Sequence, residues 1–114
     1  MVVGICRVEL ALPGNDSLKG KRSVVRRVID RVRARFKVSC AEVDALDVHE
    51  AAAVGFAVVS NDGRHAARMM ESILKFIEGV AEAPVVEADR ELIHLDDVEP
   101  APMGEEVAGS DDRG

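Results

Sequence analysis

The sequence predicts an α+β domain in two layers, a four-stranded antiparallel sheet with two helices on one face. Three observations predict it. Two stretches, 17–37 and about 63–79, repeat apolar residues at helical spacing. Four others carry the period-two or apolar pattern of strands. Their order is β-α-β-β-α-β, the split βαβ arrangement of a ferredoxin-like sandwich with sheet order 4-1-3-2.

The first strand spans 2–12. Val2, Gly4, Cys6, Val8, Leu10 and Leu12 share one face, and Val3, Ile5, Arg7, Glu9 and Ala11 the other. Pro13-Gly14-Asn15-Asp16 ends it, and Asp16 or Ser17 can cap the helix that follows. Along that helix Leu18, Val24, Val25, Val28, Ile29, Val32 and Phe36 fall on one side. The second strand, 37–44, is short, and Val38 and Cys40 compete with Ala41 and Val43 for its core face. After the connection 44–47, a third strand over 49–60 points Ala52, Val54, Phe56 and Val58 inward. Ser60-Asn61-Asp62 caps a second helix with the stripe Ala66, Met69, Met70, Ile73, Leu74 and Ile77, and Gly79 is its expected stop. A fourth strand covers 85–95. In the 4-1-3-2 order one strand separates Cys6 from Cys40, so no disulfide is expected.

Charge is unevenly distributed. Residues 17–37 hold nine of the fifteen basic residues, with Asp30 alone opposing them. Residues 96–114 hold seven acids against Arg113, which supplies the whole net charge of −6, since residues 1–95 carry fourteen acids and fourteen bases. The expected division is therefore a domain over 1–95 and an acidic, disordered tail over 96–114. With no basic leader, no membrane-length apolar run and two cysteines, a soluble cytoplasmic protein is expected.

The basic helix is the candidate functional element. Its residues are Lys19, Lys21, Arg22, Arg26, Arg27, Arg31, Arg33, Arg35 and Lys37. Lys19, Lys21 and Arg22 crowd the helix N-terminus, where the macrodipole disfavours cations. Arg22, Arg26 and Arg33 form one stripe, and Arg27, Arg31 and Arg35 another, at spacings where like charges repel. Arrangements that cost stability point to an anionic partner, foremost nucleic-acid phosphate. Phe36, Phe56 and Phe76 are the only aromatics, and none is expected on the open sheet face, so a base-stacking platform is not supplied. That face, with Val3, Ile5, Ala53, Gly55, Ala57 and Val59, is the candidate self-association surface of a homodimer.

Chemistry is hard to place. His49, His65 and His94 match no ligand spacing, and the acids Glu42, Asp44, Asp47 and Glu50 read as a solvated hairpin turn rather than a Mg²⁺ site. No catalytic set, metal or cofactor is expected.

Several stretches resemble the YlxP-like family, domain-of-unknown-function family 503. They are Arg7-Val8-Glu9-Leu10, Leu12-Pro13, Ser17-Leu18-Lys19-Gly20-Lys21-Arg22, Arg33-Ala34-Arg35-Phe36-Lys37-Val38-Ser39, Ala41-Glu42-Val43 and Val58-Val59-Ser60-Asn61-Asp62. The resemblance implies a small ferredoxin-like domain, encoded in bacteria often beside translation-initiation and ribosome-binding factors, with no established activity. Gly20, Lys37, Cys40 and Val48-His49-Glu50 depart from the family's pattern, and the acidic tail lies outside it.

The expectation is a non-enzymatic domain that binds RNA or a ribosomal particle through its basic helix, dimerises, and uses its tail as an electrostatic mask. A module for an acidic protein partner, and a small-molecule enzyme or sensor, are the alternatives.

Overall fold

The computed structural model describes residues 1–45 and 48–95. The tail 96–114, and Leu46 and Asp47 of the acidic connection, lie outside the described residues. The elements are β1 (Val2–Ala11), α1 (Leu18–Phe36), β2 (Ser39–Asp44), β3 (Ala51–Ser60), α2 (Gly63–Ala81) and β4 (Val85–His94). The sheet is antiparallel with order β2-β3-β1-β4. This is the ferredoxin-like sandwich expected from the pattern.

The alternation in β1 and β3 decides which face is covered. Val2, Cys6, Val8 and Leu10 of β1 and Ala52, Val54, Phe56 and Val58 of β3 are buried beneath the helices. Val25, Val28 and Val32 of α1, and Met70, Ile73, Leu74 and Ile77 of α2, meet them from above. On β2 the ambiguity resolves in favour of Cys40, which is buried and pairs in register with Phe56. Cys6 pairs in register with Phe56 from the other side, and both buried cysteines are free.

Local chemistry sets the boundaries. Ser17 caps α1, its Oγ accepting from the Gly20 N–H at 3.0 Å. A Cβ on Gly20 would run into the Asn15 side chain, whose Nδ2 donates to the carbonyls of Ser17 (2.8 Å) and His49. Glycine here thus lets the β1–α1 turn close onto the β2–β3 connection. Asp62 caps α2 by accepting from the Arg64 N–H at 3.0 Å. Several boundaries differ from expectation by one or two residues, among them β2, which begins at Ser39 rather than at 37. Strand β3 begins at Ala51, because His49 and Glu50 form the turn before it. Helix α2 runs past Gly79 to Ala81 and stops at Glu82, which is left-handed at φ 53°. The extra turn buries Ala81 against the core, which outweighs the glycine's weak helix preference.

Gly4 lies on the covered face of β1, where a Cβ would approach Met70 Sδ to 2.8 Å and Val58 Cγ2 to 3.0 Å. Met70 can move, but the β-branched Val58 cannot move as freely. Gly4→Ala is expected to destabilise the domain by about 1–3 kcal/mol through overpacking, measured by urea unfolding.

Candidate nucleic-acid interface

The apolar stripe of α1 fixes which of its nine cations reach solvent. Lys21 does not. It is 1% exposed. Its Nζ donates to the carbonyls of Ala45 and of Val48 (2.8 Å) and lies 3.2 Å from Glu42 Oε2. This corrects its place among the phosphate-binding residues: its charge is spent on tying the first turn of α1 to the β2–β3 connection. The contact with Glu42 is an ion pair without hydrogen-bond alignment, since that buried oxygen has no hydrogen-bond partner. The ammonium protons are directed at the two carbonyls instead. The helical periodicity held this signal, because at 100° per residue Lys21 falls between Val28 and Val32.

Three arginines are partly committed within the fold. Arg27 donates from Nε to the Val80 carbonyl (3.1 Å) and from Nη2 to that of Ala81 (3.4 Å). It satisfies unpaired carbonyls at the C-terminus of α2, where a cation also meets the favourable end of the helix dipole. Arg33 Nη2 donates to the Cys40 carbonyl at 2.7 Å, covering part of the free edge of β2. Arg35 lies over the Phe36 and Phe76 rings, 5.7 and 5.2 Å from their centroids, while the rings meet edge to face at 5.3 Å. Arg33 and Arg35 remain exposed, and Arg27 is half-buried.

The other five, Lys19, Arg22, Arg26, Arg31 and Lys37, are exposed. None of their side chains makes a hydrogen bond or ion pair among the described residues. Arg22, Arg26 and Arg33 line a shallow groove of about 390 Å³ between α1 and β2, over Val25, Ile29 and Ala41, with Asp30 and Glu42 at its side.

The open sheet face is of the opposite character. Arg7, on central β1, reaches Asp89 on β4 (3.1 Å) and Asp44 on β2 (3.4 Å). The hydrogen bond to Asp89, and the charges of both carboxylates, hold its guanidinium above the usual arginine range. Glu9, Glu87 and Glu91 lie on the same face, so this half of it is acidic. The other half is apolar: Val59, Val3 and Ile93 form one row across three strands, with Ala57 and Ile5 in the next. The self-association patch expected from sequence is corrected here. Ala53 is only 5% exposed, and Val43 folds over Gly55, where an added Cβ would meet it at 2.9 Å. Val3, Ile5, Ala57 and Val59 remain accessible, joined by Ile93. A concavity of about 460 Å³ lies between the two halves, floored by Gly55 and Ala57.

Neither thiol is poised for nucleophilic work. Burial pushes the Cys40 thiol up to about 11, with Arg33 pulling weakly the other way. Burial also raises Cys6, partly offset by Arg90. A thiolate is the reactive form, so both are quiescent near neutral pH. No group of three or more metal-ligating side chains occurs among the described residues. None of the described helices is long and apolar enough to cross a membrane.

Residues 3–90 match the family described as protein of unknown function DUF503. The chain belongs to that family. It is also 30% identical over 81 residues to a protein of Bacillus subtilis (strain 168) named uncharacterized protein YlxP, a match covering 71% of this chain and 88% of the relative. Among solved structures, a de novo designed protein with a ferredoxin fold aligns at a TM-score of 0.47 and 17% identity, covering 96% of this chain and 98% of the design. A variant of SnoaB, a cofactor-independent oxygenase from Streptomyces nogalater, aligns at 0.45 and 11%, covering 88% and 98%. Within this DUF503 domain the Ser-Leu-Lys-Gly-Lys-Arg run divides its labour: Ser17 caps, Lys21 is buried, and Lys19 and Arg22 face outward.

Removing one partner of a buried ion pair strands the other. Lys21→Ala is therefore expected to cost about 2–4 kcal/mol in chemical denaturation, toward the lower part of the buried-pair range because Glu42 keeps some solvent contact. The double change Lys21→Met, Glu42→Leu should recover most of it.

Proposed function

We propose that this domain is a non-catalytic RNA-binding module, acting on RNA or a ribosomal particle, and that the outer face of α1 grips the phosphate backbone. One observation carries the reading: five exposed cations on one helix, Lys19, Arg22, Arg26, Arg31 and Lys37, without a carboxylate partner among the described residues. Cations spaced three and four residues apart repel one another. Phosphates along a nucleic-acid strand relieve that repulsion and release counterions. The open sheet face has the wrong charge for this role and exposes no aromatic for stacking, which favours backbone contact over base readout. The gene neighbourhood implied by the family resemblance supports the same reading.

Self-association is the second part of the proposal, and the exposed apolar row favours it. Ile5, Val59 and Ile93 are 39%, 64% and 45% exposed, and lie together on the open face. A two-fold axis over this end buries the row against its own copy and leaves the acidic ends apart.

Two measurements test the pair. Reversing Arg22 and Arg26 to Glu is expected to weaken binding to RNAs of different sequence alike. It should also flatten the salt dependence by about 1.4 to 1.8 in slope, at about 0.7 (single strand) to 0.9 (duplex) for each phosphate no longer neutralised. Far-UV circular dichroism should be unchanged, because both side chains lie outside the core. Unaltered affinity and slope in this folded variant would favour an acidic protein partner instead. For self-association, Val59→Lys is expected to shift sedimentation equilibrium toward monomer. A wild-type chain that sediments as a monomer at high micromolar concentration removes that part of the proposal.

A further inference from the structure

The outer face of α1 is an interaction surface with an oppositely charged candidate in the same chain. We infer that residues 96–114 bind this face electrostatically and compete there with phosphate. The inference rests on the phosphate-binding reading and adds its regulation.

Charge is the first argument. The segment carries Asp96, Asp97, Glu99, Glu105, Glu106, Asp111 and Asp112 against Arg113. Lys19, Arg22, Arg26, Arg31 and Lys37 meet no carboxylate among the described residues. The open sheet face, the other broad surface of the domain, repels the segment, since Glu9, Asp44, Glu87, Asp89 and Glu91 there face Arg7 alone among cations.

Position is the second argument. Val2 pairs with both Ser60 and His94, so the start of β1 and the ends of β3 and β4 share one end of the sheet. The Leu95 N–H donates to the Met1 carbonyl at 2.8 Å, so the chain leaves the fold at that end. Helix α1 also terminates there, because it leads into Ser39, which pairs with Ala57. The acidic segment therefore starts at the end of the sheet where α1 terminates, but on the opposite edge strand, β4.

Reach is the third. Helix α1 has 19 residues. At 1.5 Å per residue it is about 28 Å long. Glu105 lies ten residues past Leu95, a span of up to about 33 Å in extended chain. Three strand spacings of about 4.8 Å separate β4 from β2, so the earliest acids fall short of α1, whereas Glu105 and Glu106 can meet its C-terminal half. A tethered ligand of this length acts at roughly millimolar effective concentration, so weak contacts suffice for competition.

The test compares the wild-type chain with a full-length variant in which all seven acids are neutralised, Asp→Asn and Glu→Gln. The probe is a fluorescently labelled RNA hairpin, read by anisotropy. At about 0.01 M salt, where the Debye length is about 30 Å, the variant is expected to bind at least about fivefold tighter. At about 1 M salt, where it is about 3 Å, the two should agree. A second readout needs no RNA: the Nε–H signals of Arg22, Arg26 and Arg31 in nitrogen-15 spectra should differ between the proteins at low salt and coincide at high salt. Equal RNA affinities together with coincident arginine signals at low salt overturn the inference. If neither protein binds RNA, the phosphate-binding reading fails, and the arginine signals still decide whether the segment contacts the helix.

Discussion

One face of a four-stranded sheet has to be covered by two helices, and the rest of the molecule answers to that constraint. Val8, Val54, Phe56 and Val58 form the floor, and Val28, Val32, Ile73 and Ile77 the roof. Most of these side chains are fully buried, each worth roughly 1.5–3 kcal/mol of apolar transfer. Once the stripe of α1 is seated, its azimuth is set, and with it the direction of every cation on the helix. Charge on this protein is therefore a consequence of packing: the same rotation that buries Val28 and Val32 buries Lys21 between them.

That burial explains why a basic helix is tolerated so close to the core. Lys21 loses its hydration, and two carbonyls and the Glu42 carboxylate replace it. The connection before β3 is then bound to the first turn of α1, and Asn15 and His49 add a second tie beside it. Arg27 and Arg33 act similarly at other margins, one ending α2 and the other covering the edge of β2. The cations left over have no such duty, and they separate a surface available to partners from residues that hold the domain together.

The two faces of the sandwich differ in sign. The helical side is dominated by α1, whereas the open side surrounds Arg7 with carboxylates on β1, β2 and β4. On the proposed reading, an anionic polymer would be drawn to one side and repelled from the other before any contact forms. The apolar row Val59–Val3–Ile93 sits at the margin of the acidic face, so a partner on that side need not displace one on α1.

Much of the fold was legible in the chain. Period-two alternation in β1 and β3 and the helical stripes of α1 and α2 identify the layers, because each pattern has one way of facing a core. The order of elements then led to the strand order. The helix starts were legible from local polar residues, though the structure made the choice of Ser17 over Asp16 as the cap of α1. Other features were not. The end of α2 depends on Arg27, 53 and 54 residues away from the carbonyls it meets. The closed-over Gly55 depends on Val43 of a neighbouring strand, and the bracketing of Arg7 on acids from two others. The sequence by itself determined the layers and the sign of α1, since periodicity and composition are local. Only the tertiary structure decided what Lys21, Arg27 and Arg33 hold, because their partners are carbonyls and a carboxylate of distant elements brought together by packing.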